Sequence, residues 1–145
     1  MNNLSPWVFD QCPQGWRQHD MLGDLPEAVR VIRAYLHLWA VGPDWHKDTP
    51  ADAEGRTLPT SLVHWHLGQV LAFNDQVPEA IEAMENCVVL ESSPSFAAYA
   101  RGTIAFLKGD AQGLEGALAS GAANPQVLER LRTGLAQGLT YKESY

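Results

Sequence analysis

The chain has little of what usually announces chemistry. Two of its 145 residues are cysteine, Cys12 and Cys87. No Cys-x-x-Cys pair occurs and neither thiol has a basic neighbour in sequence, so a disulfide framework, a thiolate metal site and an activated thiol all lack their usual signs; reduced thiols are expected. Positive charge is also scarce: 10 Lys and Arg face 17 Asp and Glu, a net charge of -7. Such a field repels phosphate backbones and anionic lipid, so the expected partner is another protein or peptide, neutral or basic, with no nucleic acid and no membrane. No stretch approaches the roughly 20 apolar residues that span a bilayer. Residues 1–16 show neither a basic start nor an apolar run of signal-peptide length, which makes the cytoplasm the expected location.

Catalytic and metal motifs are missing too. The sequence has no Gly-x-Ser-x-Gly turn, no glycine-rich phosphate loop after a strand, and no His-x-x-x-His or Glu-x-x-His ligand pair. His64 and His66 lie two apart on a helical stretch, about 200 degrees around the axis at 3.6 residues per turn, so one ion cannot take both. Glu79, Glu82 and Glu85 read as a solvated acidic face. The expectation is a protein that is not an enzyme, with no cofactor, no metal and no catalytic residues.

What is present is an ordinary globular balance, 46% hydrophobic and 19% charged residues, on a length suited to one domain over residues 1–145. Apolar residues recur at helical spacing at Ala28, Val31, Ile32 and Tyr35, at Val63, Leu67, Val70 and Leu71, and at Ala80, Ile81, Met84 and Cys87. Asp24 with Pro26 and Glu27, Pro78-Glu79, Ser93-Pro94 and Asn124-Pro125 supply helix starts; Asn74-Asp75-Gln76 and Gly109-Asp110 supply breaks. The spacing predicts helices over about 24–41, 60–73, 78–91, 94–108, 111–120 and 125–137, with a short one near 16–22, and nowhere the sustained alternation of a strand. The fold class is all-α, about six or seven helices in antiparallel pairs. A connection at 42–59 is long for a compact domain; its Trp45 and His46 are either a plug in the core or an exposed contact element. The closing Thr140-Tyr141-Lys142-Glu143-Ser144-Tyr145 either frays or docks its tyrosines on the last helices.

Repetition is visible. Val77-Pro78-Glu79-Ala80-Ile81 echoes Leu25-Pro26-Glu27-Ala28-Val29, and Phe106-Leu107-Lys108-Gly109-Asp110 falls 33 residues after the stretch beginning at Phe73. Leu67-Gly68, Leu71, Ala80, Met84, Cys87 and Pro94 together resemble one tetratricopeptide repeat over about 60–94. A looser copy keeping Gly102, Gly109 and Pro125 covers about 95–125, and a partial one covers about 14–41. The resemblance implies an α-α superhelix of stacked helix pairs with a concave face lined by the first helix of each pair. Carried onto this sequence, that face holds Trp65, Gln69 and Phe73 from one unit and Tyr99, Thr103 and Phe106 from the next.

An aromatic face with interspersed hydrogen-bonding groups suits a peptide or a partner helix, so the expected function is a protein-protein interaction module, a monomeric or dimeric adaptor or scaffold. That reading predicts an open groove with exposed Trp65, Tyr99 and Phe106. The alternative is a structural or self-assembling helical protein whose aromatics are consumed by the core, with the helix at 125–137 lying across the groove. A more distant one is small-molecule or metal binding through the 42–59 loop and the histidines.

Overall fold

The computed structural model of the protein describes residues 5–41, 54, 55 and 58–145. Among the described residues there are helices and no strands: α1 (Pro6–Gln11), α2 (Arg17–Met21), α3 (Leu25–Val41), α4 (Thr60–Phe73), α5 (Val77–Leu90), α6 (Pro94–Lys108), α7 (Ala111–Ala119), α8 (Pro125–Ala136) and α9 (Tyr141–Ser144). Neighbouring helices form packed pairs, α4 with α5 and α6 with α7, and α5 joins the pairs by packing on α6. The all-α expectation holds, with more elements than the periodicity predicted. Most of the 42–59 segment, including Trp45 and His46, lies outside the described residues.

The starts of these helices follow from local chemistry, though not always by the route the residues suggest. Ser5 and Ser93 each accept a backbone N–H with the side-chain oxygen, and each precedes a proline whose missing N–H would have been an orphan donor. Asp24 accepts the Glu27 N–H at 3.2 Å. The reciprocal half of the expected capping box is absent: the Asp24 N–H goes to the His19 carbonyl, and the Glu27 carboxylate turns to Arg30 at 2.5 and 2.8 Å. Arg30 holds the Glu27 carboxyl below its ordinary pKa. Asn124 does not cap with its side chain either; it sits at φ 48, a left-handed conformation asparagine tolerates, and turns the chain into α8 with its backbone.

Close helix approach relies on missing side chains. A Cβ on Gly68 would lie 2.5 Å from Met84 Cγ, and one on Gly102 would lie 2.9 Å from both Ala117 Cβ and Leu128 Cδ1. These two glycines stand 34 residues apart in sequence; Gly68 lets α4 approach the α5 backbone at Ala80, and Gly102 makes room on α6 for Ala117 of α7 and Leu128 of α8. Larger side chains, among them Leu71, Met84, Leu114, Leu128 and Leu131, fill the space between and are fully buried.

The N-terminal helices attach differently. Phe9 stacks flat on Tyr35 of α3, centroids 3.8 Å apart and planes 5° from parallel. Beside it Asp10 is wholly buried and bonded to His66 of α4.

Candidate binding face

Residues 65, 69 and 73 of α4 are four apart and so share one helix face; Tyr99, Thr103 and Phe106 do the same on α6. The structure brings these two sets together, and then covers them. Trp65 is 3% exposed, edge-on to Phe96 at 5.6 Å and tilted against Tyr99 at 4.8 Å. Tyr99 is 2% and Phe106 6% exposed. Thr103 is fully buried, and its hydroxyl donates to the Tyr99 carbonyl at 3.1 Å, so it offers nothing outward. The expectation of an open groove with exposed Trp65, Tyr99 and Phe106 does not hold.

Closure comes from α9, an element the helical periodicity did not reveal. Thr140 starts it with a full capping box: its hydroxyl accepts the Glu143 N–H at 3.3 Å while Glu143 Oε2 accepts the Thr140 N–H at 2.8 Å. Those bonds from Thr140 hold the Glu143 carboxyl below its ordinary pKa. The turn then projects Tyr141 and Tyr145 in one direction, with their rings 5.4 Å apart. Both meet Phe73 edge-on, at 5.2 and 5.3 Å, and Tyr141 also reaches Phe106 at 6.2 Å. Gln69 Nε2 donates to both hydroxyls, at 3.4 Å to Tyr141 and 3.5 Å to Tyr145. Phe73 and Gln69 are accordingly half-buried, not free.

The fit depends on α8 as well. Ser144 is buried with its hydroxyl donating to the Thr140 carbonyl at 2.7 Å, and it sits where a side chain on Gly134 would be: a Cβ there would fall 1.9 Å from Ser144 Oγ. Arg130 of α8 places its guanidinium 6.0 Å over the Tyr145 ring. Burial pushes the Tyr141 phenol well above its usual pKa, and burial with Tyr145 alongside does the same for Tyr99. These hydroxyls therefore stay neutral. Tyr145 itself is 42% exposed, so the tail is seated but not sealed.

A second polar cluster ties α1 and α2 to the other side of α4. Asp10 Oδ1 bonds His66 Nδ1 at 2.7 Å and accepts the Trp16 indole N–H at 3.1 Å, while Oδ2 accepts from Gln11 at 2.6 Å. Arg17 Nε donates to the Asp10 carbonyl and lays its guanidinium 4.7 Å over Trp16. His64 faces away from this cluster, lining a small cleft with Arg33, Leu36, Glu79 and Glu82; burial lowers its pKa from 6.5. The two histidines thus serve different neighbours. Among the described residues no three His, Cys, Asp or Glu side chains gather as a metal-binding group.

Cys87 is fully buried, and burial together with the Glu91 carboxylate pushes its thiol up to about 12. No disulfide joins it to Cys12. A cleft of about 510 Å³ lies elsewhere, between α5 and α6, lined by Glu85, Val88, Val89, Arg101, Ile104 and Lys108. Among the described residues no helix is long and apolar enough to cross a membrane. Comparison with protein-family models, with curated proteins and with solved structures finds no match for this chain.

Proposed function

We propose that the chain is a protein-interaction module of tetratricopeptide-like helix pairs, and that the face built by α4 and α6 takes a short helical segment of another protein. One observation carries the reading: the face already holds such a segment, the chain's own α9, seated by two tyrosines on Phe73, Phe106 and Gln69. Here an entire capped turn occupies it, the geometry of helix-in-groove recognition.

The repeat character draws support from Gly68 and Gly102, spaced 34 residues apart and each at a close helix contact, because a period near 34 with small residues at the helix contact is what stacked helical hairpins require. The acidic excess favours a neutral or basic partner. The reading assigns the chain no reaction and no cofactor.

A photo-crosslinking phenylalanine analogue at Phe73, compared with one at exposed Val89 in the α5–α6 cleft, tests it inside cells. The reading expects a second protein joined at position 73 and none at 89. Crosslinks at 89 alone, or at neither, end it. The alternative, a structural or self-assembling protein, is favoured by the burial of Trp65, Tyr99 and Thr103; it expects the crosslink at 73 to join only copies of this chain or the chain's own tail.

A further inference from the structure

We infer that α9 is a resident, displaceable ligand: it closes the α4–α6 face against partners, and the partners that open it are helical segments carrying aromatic residues at positions i and i+4. The inference rests on the reading of that face as a binding site and adds what regulates it and what fits it.

Gly138, at φ 70, turns the chain back at the end of α8, where the Leu139 N–H bonds the Gly134 carbonyl at 2.9 Å and α9 packs on α8. The capping box closes entirely within residues 140–145, so the turn carries its own nucleus and does not borrow one from the walls. Its attachment to α4 and α6 is through two side chains, Tyr141 and Tyr145, spaced i and i+4, with the i+3 serine pressed on Gly134. Those are the terms any other occupant would have to meet: two flat rings against Phe73 and Phe106, a hydroxyl or similar acceptor toward the Gln69 amide, and a small residue over Gly134. Gln69 asks for an acceptor at both rings, which selects tyrosine over phenylalanine.

Tethering sets the strength of the closure. A segment joined through so short a turn acts at an effective concentration at least on the order of 1 mM. A turn that binds the same face in trans at ~0.1 mM would therefore stay docked about ten to one, and an outside ligand of equal affinity would see the face about tenfold weaker than an open one. The same arithmetic disfavours a second copy's α9 as the occupant, since at micromolar protein it competes with the chain's own tail at a disadvantage of about a thousandfold. A partner with further contacts prevails where a copy does not.

The test uses the full-length chain and a labelled peptide of residues 138–145. Thr140→Ala with Glu143→Ala removes both halves of the capping box and releases α9 without touching Phe73, Phe106, Gln69 or Gly134. Tyr141→Ala opens the face by the other route, emptying one slot; running both keeps a folding failure in either from ending the comparison. Circular dichroism checks the fold, and hydrogen exchange at residues 141–145 checks release of the tail. The expected result is that the peptide binds either opened variant at least tenfold tighter than the wild type, protects amides in α4 and α6, and fails to bind when it carries Tyr141→Ala and Tyr145→Ala. Equal binding to wild type and variants would overturn the closure while leaving the face a binding site. A released tail with no peptide binding overturns the binding site too, and dimerisation of the opened variants without peptide binding assigns the face to a second copy instead.

Discussion

The two ends of this chain are fastened to α4 by opposite chemistries. On one side α1 and α2 hold on through a buried carboxylate, Asp10, shared among His66, Trp16, Gln11 and the neighbourhood of Arg17. On the other, the pairs from α4 to α8 hold by shape, with glycine and alanine at the contacts and leucine, methionine and aromatics between them. A polar fastening is all-or-none in its bonds, because losing the carboxylate strands three donors at once. A packed one fails by degrees, according to how much volume is added or removed. The two ends should therefore respond differently to the same kind of change.

Trp65→Ala strikes the packed side where Phe96 and Tyr99 meet it, and should cost about 3–5 kcal/mol in urea unfolding, with α4 through α8 losing amide protection together. Asp10→Ala should cost about 3 kcal/mol. Its loss should appear as exchange confined to α1 and α2; uniform loss across α4–α8 would erase the distinction between the two sides. Gly102→Ala, which drives a methyl into Ala117 and Leu128, is expected to lower stability by about 1–3 kcal/mol, a graded effect that Gly102→Val should exceed.

A smaller effect comes from His64. Its folded pKa lies below 6.5, so as the pH drops beneath about 6.5 the unfolded chain takes up a proton that the folded chain refuses. The stability contributed by neutral His64 is full above that value and lost as the pH falls through the lowered folded value. Chemical denaturation from pH 7.5 to 5 should show that decline, and His64→Gln should flatten part of it. Smallest of all is a labelling contrast: with its thiol near 12 and no exposed surface, Cys87 should resist iodoacetamide at pH 7.5 in the native chain while the half-buried Cys12 reacts. Equal labelling in mass spectrometry would mean the α4–α5 pair opens far more readily than its packing implies.

Much of the fold was legible because helix signals are local. α3 to α8 announce themselves through repeated apolar spacing over nine or more residues, and their observed ends differ from the predicted ones by a residue or so. α1 and α9 are too short for periodicity to register, yet each has a start signal: Ser5-Pro6 matches the start at Ser93-Pro94, and Thr140 with Glu143 has the spacing of a capping box. The candidate face was legible as a set of side chains and not as a state. Whether Phe73 meets solvent depends on Tyr141, 72 residues beyond Gln69, and the bond from Asp10 to His66 spans 56 residues. No local pattern encodes such pairings; they arise from which surfaces remain unsatisfied once the helices have packed.

Gly138 gives the architecture a consequence of a different order. Because that left-handed residue separates α9 from the helices before it, walls and occupant are written in separate stretches of the gene. Replacement of residues 140–145 changes what the face holds while leaving the packing among α4 to α7 in place, whereas a change in the walls must preserve both stacking and fit. On the proposed reading, related chains that differ chiefly after position 138 would differ chiefly in what that face admits.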